Sequence, residues 1–278
     1  MKRILTIQDI SCVGKCSLTV ALPIISAAGV EAAVLPTAVL STHTMFPKYT
    51  FLDLTDEITP ITDTFRELEI GFDAIYTGYL GSFQQIELVE RTLDGAGDAC
   101  ISVIDPVMAD NGCLYKGFTE EFATRMAKLC ARADVVLPNM TEASFMLGIP
   151  YVETYDEAYV QDVLRRLCAM GAKCAVLTGI RLNEGKIGAY AYHSDTNSFF
   201  FYENELLPVS FHGTGDIFAS AFLGAHMRGL PINEALTLAV DFTLESMKKT
   251  LADPKHRFYG VNFEEAIPLY VARLSHLA

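Results

Sequence analysis

The stretch "SFHGTGDIFASAF", residues 210–222, places two glycines and an aspartate directly before a run with helical spacing. Gly213 and Gly215 allow a sharp backbone turn, and the helix that follows offers unpaired N–H groups and the positive end of its dipole. Such a turn binds an anion. Asp216 lies in the first helical turn, where its charge would repel a resting phosphate, so its carboxylate makes sense if it faces the other reactant.

Phosphoryl transfer to an alcohol explains this combination. The alcohol needs an acceptor for its proton, and the transferring oxygens need fixed N–H donors. A weak base held in line suffices, because the transition state is loose and the proton leaves late. The stretch therefore indicates half of a phosphotransferase site, with Asp216 as the base and Gly213 and Gly215 in the anion turn. The alternative is that Asp216 only complements the helix dipole and the glycines only form a tight loop.

Outward from this stretch, short apolar runs typical of strands alternate with longer amphipathic runs typical of helices. This alternation predicts an α/β fold: a doubly wound, mainly parallel sheet with helices on both faces. Two runs, 186–193 and 198–203, flank a turn-like "SDTN" and predict a small antiparallel hairpin at one edge. Helical patterns then return at 215–228, 232–250 and 263–276. No repeat or linker divides the chain, so residues 1–278 are predicted to form a single domain.

Composition excludes several classes of partner. The chain has 278 residues, is 51% hydrophobic and carries 21 basic against 34 acidic residues, a formal charge of −13 without any Lys/Arg block. Nucleic acid is therefore not an expected partner. The apolar stretch 18–40 is broken by Pro23, Gly29, Glu31 and Pro36, so no membrane span is expected. The seven cysteines are odd in number and lie mostly in apolar runs, which is typical of reduced thiols and predicts a cytoplasmic protein.

Carboxylates follow two further strand-like runs. Asp105 ends a strand in "IDPVMADNG" (104–112), and Asn139 and Glu142 follow another in "LPNMTEA" (137–143). Ligands of open parallel sheets bind beyond the carboxyl ends of the strands. Carboxylates from adjacent strand ends could hold a hydrated Mg²⁺ against ATP phosphates. Asn139 with Glu142 also matches an N-cap and its capping-box partner, and both roles are compatible.

Other polar and aromatic residues follow strand-like runs. "STHTM" (41–45) offers His43 and Thr44 to a polar ring, although a lone loop histidine is more often incidental. "YTGYLGS" (76–82) offers Tyr79 as a stacking face for a flat ligand, or as packing. "MADNGCLY" (108–115) has the composition of a mobile cover, and its Cys113 is either a small filler or a thiol able to add to an aldehyde.

With these residues assembled, the sequence resembles the ribokinase superfamily, and more closely its pyridoxal kinase branch. The matching pieces run nearly end to end: "TIQDI" (6–10), "STHTM", "YTGYLGS", "DPVMADNGCLY" (105–115), "LPNMTEA", "LTG" (177–179) and "GTGDIFASAF" (213–222). The resemblance implies a ribokinase-like fold, an ATP- and Mg²⁺-dependent kinase that also uses a monovalent cation (K⁺ or Na⁺), and a homodimer.

The resemblance also implies roles for individual residues. Asp216 is similar to the family's base for the 5′-hydroxyl, with the backbone from Gly213 to Asp216 as the anion hole. The nucleotide side comprises Asp105 and Glu142 around Mg·ATP, Asn139 at the start of the same motif, and Thr178 and Thr214 along the phosphates. The substrate side comprises His43, Thr44 and Tyr79, with Cys113 matching a lid cysteine.

One departure bears on the substrate. Near the first strand these kinases usually offer a serine to the pyridine ring, whereas this chain has Asp9, with Ser11 two residues later. An acidic residue suits a protonated ring nitrogen or an amine. The predicted substrate is therefore a vitamin B6 vitamer, with the hydroxymethylpyrimidine of thiamine synthesis as the nearest alternative. A ligand-binding relative that has lost catalysis is the alternative from another class.

Overall fold

A computed structural model describes residues 1–277 of the chain. Its main element is a nine-stranded sheet with the order β11-β10-β9-β8-β5-β4-β1-β2-β3. The strands are β1 (Arg3–Val13), β2 (Glu31–Thr42), β3 (Phe51–Asp53), β4 (Ala74–Thr77), β5 (Ile101–Ile104), β6 (Ala109–Asp110), β7 (Cys113–Leu114), β8 (Val135–Val136), β9 (Cys174–Ile180), β10 (Lys186–His193) and β11 (Ser198–Glu205).

Helices connect the strands of the sheet. They are α1 (Leu18–Ala27), α2 (Thr55–Glu67), α3 (Phe83–Asp94), α4 (Glu120–Cys130), α5 (Met140–Leu147), α6 (Glu157–Ala169), α7 (Thr214–Met227), α8 (Ile232–Ala252) and α9 (Ile267–Leu277). A short 3₁₀ turn, Phe263–Glu265, precedes α9. The predicted pattern of helices is confirmed, with ends that differ by one to two residues from the periodicity, apart from the last helix, whose first turn is this 3₁₀ segment.

Apolar residues fill both faces of the sheet, as the doubly wound prediction requires. One core packs α1, α7, α8 and α9 against one face, with Phe222 and Tyr270 fully buried. The other packs residues of α3, α4, α5 and α6 against the opposite face, with Ile7 and Ile104 fully buried. Strand β1 is paired in parallel on both sides, with β2 and with β4.

The carboxyl ends of β1, β4, β5, β8 and β9 meet at one edge, because these strands run parallel. The chain enters α7 at this same edge. The predicted antiparallel hairpin, β10–β11, is confirmed at one end of the sheet. Two antiparallel features lie outside the sequence prediction: β3 pairs with β2 at the other end, and β6 pairs with β7 in a two-stranded hairpin.

None of the helices in residues 1–277 combines the length and apolar character that a bilayer crossing requires. All seven cysteines are free of disulfide bonds. Four of them, Cys16, Cys130, Cys168 and Cys174, are buried, whereas Cys12 is exposed although most of the cysteines lie in apolar runs.

Candidate active site

The backbone turns sharply at Gly213, the N-cap of α7. Its φ is 83°, and a Cβ added there would lie 2.1 Å from the carbonyl oxygen of Lys15. Only glycine fits this combination of conformation and contact. No side chain caps the first turn of α7, so its N–H groups remain available at the carboxyl edge of the sheet. Gly215 is exposed and has open space where a Cβ would be.

Asp216 lies one residue after Gly215, on the inner side of this turn. Its Oδ2 accepts a hydrogen bond from the backbone N–H of Ser17, 3.0 Å away. Burial raises the pKa of Asp216 to about 6, the Ser17 bond opposes that shift, and the charge of Asp9 adds to it. The side chain is only partly enclosed, so the carboxylate is both perturbed and accessible.

Asp9 lies on β1 beside Asp216 and is buried. Its two oxygens accept hydrogen bonds from the hydroxyls of Ser17, at 2.5 Å, and Ser11, at 3.3 Å. Burial raises the pKa of Asp9 despite these bonds. Ser11 is itself buried, and its hydroxyl donates to Asp9, so this hydroxyl is engaged within the protein.

Asp105 directly follows β5 and opens a strained segment. Val107 adopts φ 39°, which a β-branched residue rarely does, and donates its N–H to Asp105 Oδ1 at 3.3 Å. The pKa of Asp105 is raised by burial and by the neighbouring charges of Glu142 and Asp216. Strained backbone of this kind concentrates at functional sites.

Glu142 and Asn139 form the capping box of α5 that their spacing indicated. Glu142 Oε2 accepts the N–H of Asn139, and its Oε1 accepts the N–H of Met108, both at 2.9 Å. Asn139 also donates its side-chain N–H to Ala109. Asn139 and Glu142 therefore cap α5, as their spacing predicted. Glu142 also holds the segment that follows Asp105, through its bond to Met108. Burial raises the pKa of Glu142 to about 7.

The donor chemistry fits a hydrated Mg²⁺ near Asp105. This ion keeps several waters and needs one or two carboxylates, and Asp105 Oδ2 accepts no hydrogen bond in residues 1–277. Glu142 fits less directly, because both of its oxygens already accept backbone N–H groups. Within the described residues, no group of three His, Cys, Asp or Glu side chains forms a metal site on its own.

Thr178 and Thr214 lie on β9 and at the start of α7, respectively. Thr178, near the end of β9, forms an isolated parallel bridge with Asn139, so the two nucleotide-side candidates are adjacent. Thr214 begins α7 and donates its hydroxyl to the carbonyl of Phe211 at 3.3 Å.

The β6–β7 hairpin carries Cys113 at the surface. Asn111 and Gly112 both have positive φ, at 49° and 77°, which forms a tight turn. The N–H of Gly112 donates to Thr141 at 3.0 Å and so anchors the tip to α5. Cys113 is exposed and reachable, in keeping with a cover.

His43 is buried and uses both ring nitrogens within the protein. Nδ1 accepts the N–H of Met45 at 3.2 Å, which places the proton on Nε2, 2.9 Å from the carbonyl of Tyr259. Because both nitrogens are engaged, His43 can contact a ligand only through the face or carbon edge of its ring. Thr44 is exposed beside it, and Tyr79 is half-buried against Phe118 with ring centroids 5.6 Å apart.

Sequence reasoning missed two features of this edge. Ser17 bonds both aspartates, but it reads in sequence only as a serine preceding a helix. Beneath Asp105 and Asp216, the fully buried side chains of Gln8, Tyr76 and Ser220 have polar atoms without hydrogen-bond partners in residues 1–277. Gly78 makes room for Gln8, since a Cβ at Gly78 would lie 2.9 Å from its amide carbon.

Known proteins resemble the chain over nearly its whole length. The model of the phosphomethylpyrimidine kinase family matches residues 22–261. A Bacteroides thetaiotaomicron protein described as a phosphomethylpyrimidine kinase, in a crystal form with pyridoxal, is 36% identical, with a TM-score of 0.92 over 97% of this chain and 95% of that chain. Pyridoxal kinase from Lactobacillus plantarum is 30% identical, with a TM-score of 0.91 over 99% of both chains. Pyridoxine kinase from Bacillus subtilis is 28% identical over 82% of this chain and 80% of its own length.

Proposed function

The chain belongs to the phosphomethylpyrimidine kinase family, and from this premise we propose that it phosphorylates the 5′-hydroxymethyl group of a vitamin B6 vitamer with ATP. The solved relative with pyridoxal and the two relatives named for pyridoxal and pyridoxine support this substrate class. The kinase activity and the membership of the ribokinase superfamily that the sequence predicted agree with the names of these relatives.

One observation carries the proposal: a half-enclosed carboxylate with a raised pKa stands beside an uncapped, glycine-lined helix N-terminus. Asp216 accepts the proton of the substrate hydroxyl as that oxygen bonds to the terminal phosphorus. The bond from phosphorus to the bridging oxygen breaks, and ADP leaves. The N–H groups of Thr214 and Gly215 stabilise the charge on the transferring oxygens.

On the nucleotide side, Asp105 would hold a hydrated Mg²⁺, which supplies charge neutralisation for the phosphates when bound. Glu142 fixes the segment from Asp105 to Met108, and Thr178 and Asn139 line the phosphate path. A monovalent cation, K⁺ or Na⁺, is part of the proposal through the superfamily resemblance. On the substrate side, Asp9 faces the ring, with Thr44, Tyr79 and Cys113 around it.

Hydroxymethylpyrimidine is the second candidate acceptor. The family name and a buried Asp9 carboxylate that forms no ion pair in residues 1–277 both favour a cationic or amino-substituted ring. A catalytically silent relative is disfavoured, since Asp216 and the Gly213 turn are intact.

The assembly and compartment are further parts of the proposal. Phe51 and Leu52 on edge strand β3 are 54% and 60% exposed, and Met45 and Tyr49 precede them at 56% and 45%. An exposed apolar edge of this kind supports a homodimer. Seven thiols free of disulfide support a reducing, cytoplasmic location.

A turnover assay tests the function. ADP formation is measured with ATP and Mg²⁺ against pyridoxal, pyridoxine, pyridoxamine and 4-amino-5-hydroxymethyl-2-methylpyrimidine. The proposal expects the highest kcat/KM on a B6 vitamer. Preference for the pyrimidine would support the second candidate, and acceptor-independent ADP formation alone would contradict both.

A further inference from the structure

Ser17 occupies the N-cap of α1 without capping it. A serine at this position normally accepts an N–H of the first helical turn, but its side chain makes no such bond here. Instead, its hydroxyl donates to Asp9 at 2.5 Å, and its backbone N–H donates to Asp216 at 3.0 Å. Ser17 therefore links Asp9 on β1 with Asp216, which lies 199 positions after Ser17.

The backbone of Ser17 is also unusual. Its φ is 50° and its ψ is −135°, a conformation that favours glycine. Ser17 is buried, so neighbouring groups hold this conformation in place. The left-handed backbone and the missing cap bond share one consequence. They allow the N–H of Ser17 to reach Asp216 while its hydroxyl reaches Asp9.

Within residues 1–277, His43 is the basic side chain whose charge acts on Asp9, and its two ring nitrogens are already bonded to Met45 and Tyr259. Neither aspartate forms an ion pair within residues 1–277, and nearby Lys15 is bound to Asn262 and Glu264 instead. The ionisable groups whose charge interacts with Asp216 come from several elements and are all acids, phenols or a thiol: Asp9, Cys16, Tyr76, Asp105 and Tyr115. A buried carboxylate without a cation is costly, and a bound cation removes that cost.

We infer that Ser17 is a positioning residue that couples substrate recognition at Asp9 to proton acceptance at Asp216, and that the preferred acceptor brings a protonated ring nitrogen or amine to Asp9. The inference rests on the proposed function and narrows its substrate class. A cation at Asp9 offsets the smaller contribution that the charge of Asp9 makes to the raised pKa of Asp216, whose main cause is burial. The ionised form of the base is then favoured when the correct ring is bound, while Ser17 holds both carboxylates in place.

A double-mutant cycle of Asp9→Asn and Ser17→Ala, with pyridoxamine as acceptor, tests the coupling. Ser17→Ala keeps the N–H to Asp216 and loses the hydroxyl bond, so we expect KM for pyridoxamine to rise about 10-fold with a smaller change in kcat. In the presence of Asp9→Asn, the same serine substitution should change KM by less than ~2-fold. An equal effect of Ser17→Ala in both backgrounds would overturn the inference.

Two serine variants serve as matched controls. Ser17→Gly also removes the hydroxyl but adopts a φ of 50° easily, so it should match Ser17→Ala in KM while exceeding it in Tm. Ser11→Ala removes the longer 3.3 Å bond to Asp9 and touches no Asp216 atom, so its effect on KM should be smaller. A KM that follows Tm across these variants would assign Ser17 a merely structural role.

A readout independent of turnover separates this inference from the proposed function. The ¹³C carboxyl signal of Asp216, assigned with Asp216→Asn, is titrated in the ligand-free protein. Asp9→Asn should lower the pKa of Asp216 by about 1, and Ser11→Ala should leave it unchanged. An unchanged pKa in an active kinase would overturn the coupling alone, whereas a shifted pKa in a protein that phosphorylates no B6 vitamer would overturn the proposed function alone.

Discussion

The carbonyl oxygen of Lys15 packs directly against Gly213, so that a Cβ at Gly213 would lie 2.1 Å from it. This contact joins the loop before α1 to the turn before α7. It thereby sets the distance between the substrate-side strand β1 and the anion turn, the two halves of the proposed site.

Gly213→Ala is expected to damage both stability and activity. The added methyl group collides with Lys15 and disfavours the φ of 83°, so the free energy of unfolding should fall by about 1–3 kcal/mol. Gly215→Ala is the matched control, because it meets open space and adds helix propensity. Urea unfolding of both variants checks this, and equal destabilisation would contradict the steric argument.

Asp216→Asn is expected to lower kcat by about 10²–10⁴-fold while ATP binding is retained. In the unchanged protein the base must be ionised, and its pKa is raised to about 6. The kcat/KM should therefore fall as the pH drops below about 6. A pH profile of kcat/KM measures this acidic decline. An Asp216→Asn variant with near-normal turnover would contradict the assignment of Asp216 as the base.

The same substitution is expected to stabilise the protein at alkaline pH. Burial disfavours the ionised form of Asp216, so its charge costs folding free energy above the folded pKa of about 6 and nothing below the unfolded value of 3.8. Asp216→Asn should raise the unfolding free energy by about 1–3 kcal/mol at pH 8. The gain should disappear near pH 3.5, and thermal unfolding at the two pH values measures it.

Substitutions at Asp105 and Glu142 are expected to affect different properties, the Mg²⁺ requirement and the stability of the fold. Asp105→Asn should raise the Mg²⁺ concentration for half-maximal activity by about 10–100-fold, because it weakens the proposed anchor. Glu142→Gln should instead lower the unfolding free energy by about 1–3 kcal/mol, since an amide cannot accept both the Asn139 and Met108 N–H groups. Mg²⁺ titrations and denaturant curves on both variants distinguish the roles. A larger Mg²⁺ effect for Glu142→Gln would reverse the assignment.

Tyr76→Phe is expected to change the free energy of unfolding by less than about 1 kcal/mol, because the buried hydroxyl lies near Gln8 and Ser220 but forms no well-aligned hydrogen bond in the described residues. Tyr270→Phe is the control: its equally buried hydroxyl donates to Ala221 at 2.8 Å, and its loss should cost about 1 kcal/mol. Thermal denaturation compares them. A clear loss of Tm in Tyr76→Phe would contradict this expectation and show that the hydroxyl is hydrogen-bonded, to Gln8, to Ser220 or to an ordered water.

The local sequence determined the architecture and most of the candidate residues. Apolar periodicity predicted the two-sided sheet, and glycine placement predicted the turn before α7, because both follow from the chain's own neighbours. The Asn139–Glu142 spacing likewise predicted the capping box that the structure contains.

Only the tertiary structure decided how the carboxylates are connected. Ser17 reads as an ordinary N-cap, and nothing in its neighbours indicates a left-handed backbone or bonds to both Asp9 and Asp216. The sequence left open whether His43 contacts a polar ring or is incidental, and the structure shows both of its ring nitrogens bonded to Tyr259 and Met45. The bonds from Ser17 to Asp216 and from His43 to Tyr259 join residues 199 and 216 positions apart, and a short stretch of sequence does not determine which distant residues lie next to it in the fold.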